Sequence, residues 1–179
     1  MKTIVFDTET SALWHSTQRA LNKQPWTVEL YAKRIDTETG EALGDYHSWF
    51  KIGVPMDAGA MKVTGLTEEF LLDKPTFISE AEKIHAFMQD CDAYAGHNLL
   101  FDLMMLSFDF RRAGIDWDYS EKRLIDTVSE NEWRFGFRPN LTLLHETFYN
   151  EGFDGAHGAK SDVEATERCL IYMVKEGSI

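Results

Sequence analysis

Strand-like segments fill the first third of the chain, and after Pro55 short strands alternate with helices; that order most constrains the fold. Thr3–Phe6 predicts a short buried strand ending at Asp7. Trp26–Ile35 (WTVELYAKRI) predicts a second, rich in β-branched and aromatic residues, and Ser48–Ile52 a third after a turn around Gly40 and Gly44. These three segments read as a meander. Farther on, apolar spacing predicts helices over Phe77–Met88, Leu99–Ala113 and Leu141–Tyr149, another from Thr127, and a last one over Ser161–Lys175. Leu103, Met104, Leu106, Phe108 and Phe110 form the expected apolar face of the second of these. Short strands are expected at Asp92–Gly96 and Arg123–Asp126. Thr67 before Glu68 and Glu69 marks a helix start, and Ser161 with Glu164 has capping-box spacing. The result is an α/β or α+β chain, one domain over residues 1–179, built on a mixed sheet.

At 179 residues the chain is long enough for one ordinary core, and 44% hydrophobic with 27% charged residues excludes collagen-like and disordered classes. No apolar run approaches the length of a membrane span or of a secretory leader, so a soluble, cytoplasmic protein with no membrane partner is expected. Cys91 and Cys169 form neither a CxxC pair nor a disulfide framework. The net charge of −12 repels phosphate backbones at long range and disfavours sequence-independent coating of duplexes. A nucleic-acid enzyme stays allowed, because bound divalent cations supply positive charge where phosphate must sit.

Three groups of acids stand out. Asp7 and Glu9 are two residues apart in an extended segment, so their carboxylates share a face, where they would repel by about 2 to 3 kcal/mol at an effective dielectric near 20. A cation would remove that cost. The same DTET string recurs at Asp36–Thr39, but it opens a polar hairpin turn and is expected to be solvated. His97-Asn98-Leu99-Leu100-Phe101-Asp102 follows a short strand and puts Asp102 in the first turn of an apolar helix, where the helix dipole alone would accept an acid. His157 lies in a glycine-bearing loop five residues before Asp162, which tops the apolar stripe Val163, Thr166, Leu170 and Met173 of the last helix and should face inward. Each group alone has an ordinary structural reading as a cap, a turn or a solvated loop.

Taken together, in order and spacing, these residues resemble the DnaQ-like 3′–5′ exonucleases, in the histidine-bearing DEDDh subgroup that includes polymerase proofreading subunits, ribonuclease T and oligoribonuclease. The likeness spans almost the whole chain. Val63–Phe77 (VTGLTEEFLLDKPTF), Leu124-Ile125-Asp126-Thr127 and Asn140-Leu141-Thr142-Leu143 are similar to family segments, and Glu29 stands at a strand position where the family often has glutamate, carried over as structural. Thr10-Ser11-Ala12 replaces the usual TTG, and Thr64 stands where proofreading subunits carry histidine.

The resemblance implies a ribonuclease H-like α/β fold, a central mixed five-stranded sheet flanked by helices. It implies hydrolysis of terminal phosphodiester bonds of single-stranded DNA with release of nucleoside 5′-monophosphates. Two Mg²⁺ or Mn²⁺ ions would be held by Asp7, Glu9, Asp102 and Asp162: Asp7 bridging, Glu9 and Asp162 completing the nucleophile-side ion, and Asp102 acting mainly through water. His157 would take a proton from the attacking water. Thr10 would contact the terminal 3′-hydroxyl, with Leu13, Leu66 and Phe101 against the terminal bases. Alternative readings are an exonuclease for RNA 3′ ends and a non-catalytic module that binds nucleic acid or a polymerase; a two-carboxylate glycosidase explains neither the His157 loop nor four spaced acids. The expected partners are single-stranded DNA or RNA 3′ ends, with a polymerase or replication protein compatible with the family. The chain stops soon after its last helix, which favours a stand-alone enzyme.

Overall fold

The computed structural model describes residues 1–14, 20–155 and 158–179. Its five strands are β1 (Lys2–Thr10), β2 (Thr27–Asp36), β3 (Ala42–Trp49), β4 (Ala93–Gly96) and β5 (Arg123–Asp126). They form one sheet in the order β3-β2-β1-β4-β5. The first three are antiparallel neighbours, and β4 and β5 are added parallel to β1. The helices are α1 (Ala58–Thr64), α2 (Glu68–Leu71), α3 (Phe77–Gln89), α4 (Leu99–Arg112), α5 (Glu132–Phe135), α6 (Leu141–Tyr149) and α7 (Ala159–Glu176). Among the described residues no helix is long and apolar enough to cross a membrane.

Alternation along β1 divides the core. Ile4 and Phe6 pack with Leu30, Ile84 and Met88 of α3 and Leu103, Leu106 and Phe110 of α4 on one face. Val5 faces the other way, with Tyr31, Ala95 and Ile125 against Ala159, Val163 and Leu170 of α7. Cys91 and Cys169 are buried free thiols.

Several boundaries differ from the sequence expectation. β1 continues past Asp7 through Glu9 to Thr10 instead of ending at Asp7, because pairing to β2 runs on to Thr10 opposite Thr27. β3 begins at Ala42, not Ser48; its first four residues are exposed, so no apolar alternation marks them. The helix expected from Thr127 reduces to a 3₁₀ turn at Ser129–Asn131 and the four-residue α5, ended by Gly136 in the left-handed region at φ 74°. Met105 is buried in α4 while Met104 and Phe108 are half-buried. α7 starts at Ala159 with Gly158 as N-cap, so Ser161 is already inside the helix and the capping box with Glu164 does not form. Thr67 does cap α2, accepting from the Phe70 amide.

Candidate active site

The sheet leaves one edge of β1 open where the acids begin. β4 pairs only with Thr3 to Val5. Beyond that point the Thr8 amide donates to Asp102 Oδ1 at 2.9 Å, and the Thr8 hydroxyl donates to the same oxygen at 2.7 Å. Asp102 therefore takes the place a strand neighbour would occupy, reaching the edge from α4. The β4–α4 turn sets that reach. At Gly96 a Cβ would lie 3.0 Å from Leu99 Cδ1 and 3.3 Å from the Phe6 carbonyl, so any side chain there would make its neighbours give way where the strand ends close to β1. Asn98 follows in the left-handed region (φ 66°, ψ 45°). Its amide donates to Asp126 Oδ1 at 2.8 Å, and its own Oδ1 accepts from Arg138 Nη2 at 3.2 Å.

On the opposite face of β1, Asp7 and Glu9 meet Asp162 from the first turn of α7. Each of the three offers a carboxylate oxygen, and these atoms all lie within 4.8 Å of one another. Burial pushes the Asp7 carboxyl well above the usual carboxylate range, helped by the charges of Asp102, Glu9 and Asp162. Glu9 is pushed up to about 8 by burial and by Asp162, Glu29 and Asp102. Asp102 rises to about 7 through burial, against the two Thr8 donors that favour its anion. Hard, crowded oxygen donors whose charges are this unfavourable in the bare protein are a fitting donor set for a divalent cation of the Mg²⁺ class.

Glu29 adds to the crowding: it lies directly across from Glu9 in the β1–β2 register, with its Oε1 2.7 Å from His47 Nε2. Asp36 of the second DTET string behaves otherwise. It accepts from the Glu38 and Thr39 amides and closes the hairpin turn.

Two cavities flank the carboxylates. A cleft of about 350 Å³ on the Glu9 side is lined by Thr8, Thr10, Ala12, Leu13, Phe101 and residues of α1, including Ala60, Val63 and Thr64. A second cavity, of about 330 Å³, opens beside Asp7 and Asp162 and is walled by His97, Asn140, Leu141, Thr142 and Phe153. Burial pushes His97 down to about 4, against the pull of Asp126, so its ring is neutral at pH 7. Its Nδ1 is 2.9 Å from the Thr127 hydroxyl.

Of the residues singled out in the sequence, the fold gathers Asp7, Glu9 and Asp162, sets Asp102 beside them on Thr8, and puts Thr10, Leu13 and Phe101 in the apolar cleft. Leu66 is placed elsewhere. Partly buried, it packs against the cluster of Val28, Met56 and Leu71 and is not among the residues that line the cleft. His157 lies outside the described residues. Ala60, Val63, His97, Asn140 and Phe153 were not picked out from the sequence as wall residues. Asn140 caps α6, its side chain accepting from the Leu143 amide at 2.8 Å, but no local pattern tells that the cap also borders a cavity.

The family model described as exonuclease matches residues 4–170. The chain is 28% identical over 177 residues to the PolC-type DNA polymerase III of Halalkalibacterium halodurans, covering 98% of this chain and 11% of that one. It is 29% identical over 143 residues to the DNA polymerase III subunit epsilon of Pasteurella multocida, covering 76% of this chain and 53% of that one. The chain thus spans about a tenth of the first relative and about half of the second. Among solved structures, the nuclease domain of 3′hExo, a DEDDh family member bound to rAMP, superposes with a TM-score of 0.77 at 14% identity, covering 99% of this chain and 93% of that one. That likeness is one of fold, the ribonuclease H-like mixed sheet with its flanking helices. With the family model matching nearly the full length, this chain belongs to the exonuclease family.

Proposed function

We propose that this chain removes nucleotides one at a time from the 3′ end of single-stranded DNA, releasing nucleoside 5′-monophosphates, with two Mg²⁺ or Mn²⁺ ions held by Asp7, Glu9, Asp162 and Asp102. The observation that carries the reading is the convergence of Asp7, Glu9 and Asp162 within 4.8 Å, between one mainly apolar cleft and one cavity of mixed lining. When bound, divalent cations supply positive charge for the scissile phosphate and lower the pKa of a ligated water. The chain's own residues do the rest. Leu13, Val63 and Phe101 offer apolar walls against which a terminal base stacks whatever its identity. Thr10, at the same cleft, is the proposed contact of the terminal 3′-hydroxyl. Thr8 keeps Asp102 oriented at the strand edge through two donors. His157 is the proposed acceptor of the proton of the attacking water, whose oxygen displaces the O3′ of the penultimate nucleotide.

DNA is favoured over RNA because the curated relatives quoted above are DNA polymerase components. A polymerase or other replication protein is the partner that those relatives suggest. The test is incubation of purified protein with 5′-labelled and 3′-labelled DNA and RNA oligonucleotides, with Mg²⁺, with Mn²⁺ and with a chelator. The expected result is a ladder shortened from the 3′ end of DNA, immediate release of a 3′ label as mononucleotide, and no product with chelator. Shortening from the 5′ end, or a metal-independent ladder, contradicts the reading; faster loss of RNA than of DNA transfers the substrate assignment to RNA.

A further inference from the structure

We infer that Arg138, together with its sequence neighbour Phe137, binds the strand upstream of the scissile bond, contacting the backbone phosphates that precede the terminal nucleotide. The inference rests on the exonuclease reading and adds the path of the strand. If the terminal nucleoside fills the apolar cleft on the Glu9 side and the scissile phosphate lies at the carboxylates, the preceding phosphates leave on the other side. That is the side of the Asp7 and Asp162 cavity. Arg138 stands at this rim. Its Nη2 donates to Asn98 Oδ1 at 3.2 Å, Asn98 follows the cavity residue His97, and the Arg138 charge reaches the His97 ring. Two residues after it in sequence, Asn140 forms part of the cavity wall.

Its remaining partner is weakly held. Nη1 donates to Glu132 Oε1 at 2.8 Å, but both side chains are about half exposed (56% and 45%), and such a pair in water yields easily to a phosphate. A guanidinium has five donors in a planar fork, and two bonds to protein leave capacity for phosphate oxygens. Next to it the Phe137 side chain is 57% exposed, its ring 5.8 Å from Phe135, which anchors it to the α6–α7 core. An exposed aromatic residue next in sequence to a half-exposed arginine offers a single strand both stacking and charge contact. In a chain of net charge −12, with Asp7 and Asp162 lining the cavity, a cation at this rim offsets the repulsion that approaching phosphates meet.

The test compares oligothymidylates of two and eight nucleotides. The dinucleotide has only the scissile phosphate, whereas the octanucleotide also has upstream ones. For Arg138→Gln the ratio of kcat/KM on the octanucleotide to that on the dinucleotide is expected to fall about tenfold, mainly through KM, with Arg138→Lys in between. Binding of fluorescent octathymidylate in Ca²⁺ should weaken by a similar factor, and the slope of log affinity against log salt should shrink by about 0.7, one phosphate. An equal loss on both lengths would mean that Arg138 acts only by bracing Asn98, and it overturns the proposal, as does unchanged affinity in Ca²⁺. Hydrolysis of neither substrate by the unsubstituted protein contradicts the exonuclease reading instead, and the Ca²⁺ affinities still decide the role of Arg138.

Discussion

At the scale of single residues, the acids of this site have different tasks although all are carboxylates. Asp102 is 2% exposed and takes two donors from Thr8, so its orientation is fixed before anything binds. Thr8→Val removes the hydroxyl donor from a buried carboxylate and is expected to cost about 1–3 kcal/mol in urea unfolding near neutral pH, together with a lower kcat. Asp7 shares its cluster with Glu9 and Asp162. Asp7→Asn keeps the shape but withdraws an anion, and hydrolysis should drop by at least about 10²-fold in a labelled-oligonucleotide assay. For His157→Ala a loss of about 10² or more in kcat is expected with oligonucleotide affinity in Ca²⁺ retained; loss of affinity alone would make His157 a binding residue instead of a base. Much at this scale is readable from the chain itself, because i,i+2 spacing in a strand puts Asp7 and Glu9 on one face without knowledge of their neighbours. The engagement of Asp102 by Thr8 is not readable, since it depends on pairing with β4 ending at Val5, two residues before Asp7.

At the scale of elements, the site is a consequence of strand lengths. β1 runs past β4, and the open edge gives α4 room to bring Asp102 to the strand. Gly96 makes that junction close. Gly96→Ala would push a methyl toward Leu99 Cδ1 and the Phe6 carbonyl, at 3.0 and 3.3 Å, and is expected to cost about 1–3 kcal/mol and to reduce activity by shifting the head of α4. An unchanged unfolding midpoint would contradict this role of the turn. The sequence carries α3, α4, α6 and α7 clearly, because their apolar residues recur at helical spacing over several turns. It carries β3 and α5 poorly. β3 begins with four exposed residues, and α5 is a single turn bounded by a 3₁₀ segment and Gly136, too short for a period to develop. Leu66 illustrates the remaining gap: a leucine between Gly65 and Thr67 has no local pattern that tells whether it lines the cleft or packs, partly buried, against Val28, Met56 and Leu71.

For the whole molecule, the crowding of carboxylates makes stability depend on pH and on cations. Glu9 and Asp102 have ordinary values of 4.5 and 3.8 and rise to about 8 and about 7 in the fold. Raised acids bind more protons folded than unfolded, so their favourable contribution is complete below about pH 4 and is lost as pH climbs toward 7 to 8. Metal-free protein should therefore show a falling unfolding midpoint between pH 5 and 8. Mg²⁺ or Mn²⁺ should raise that midpoint much more at pH 8 than at pH 5, where protons compete for the same oxygens. A midpoint that rises with pH in chelator would contradict the crowding described here. The most direct measurement for the central claim is a manganese-soaked crystal examined by anomalous scattering. Strong peaks ligated by Asp7, Glu9 and Asp162 are expected. Peaks elsewhere, or a site with those carboxylates gathered and no manganese among them, would contradict it.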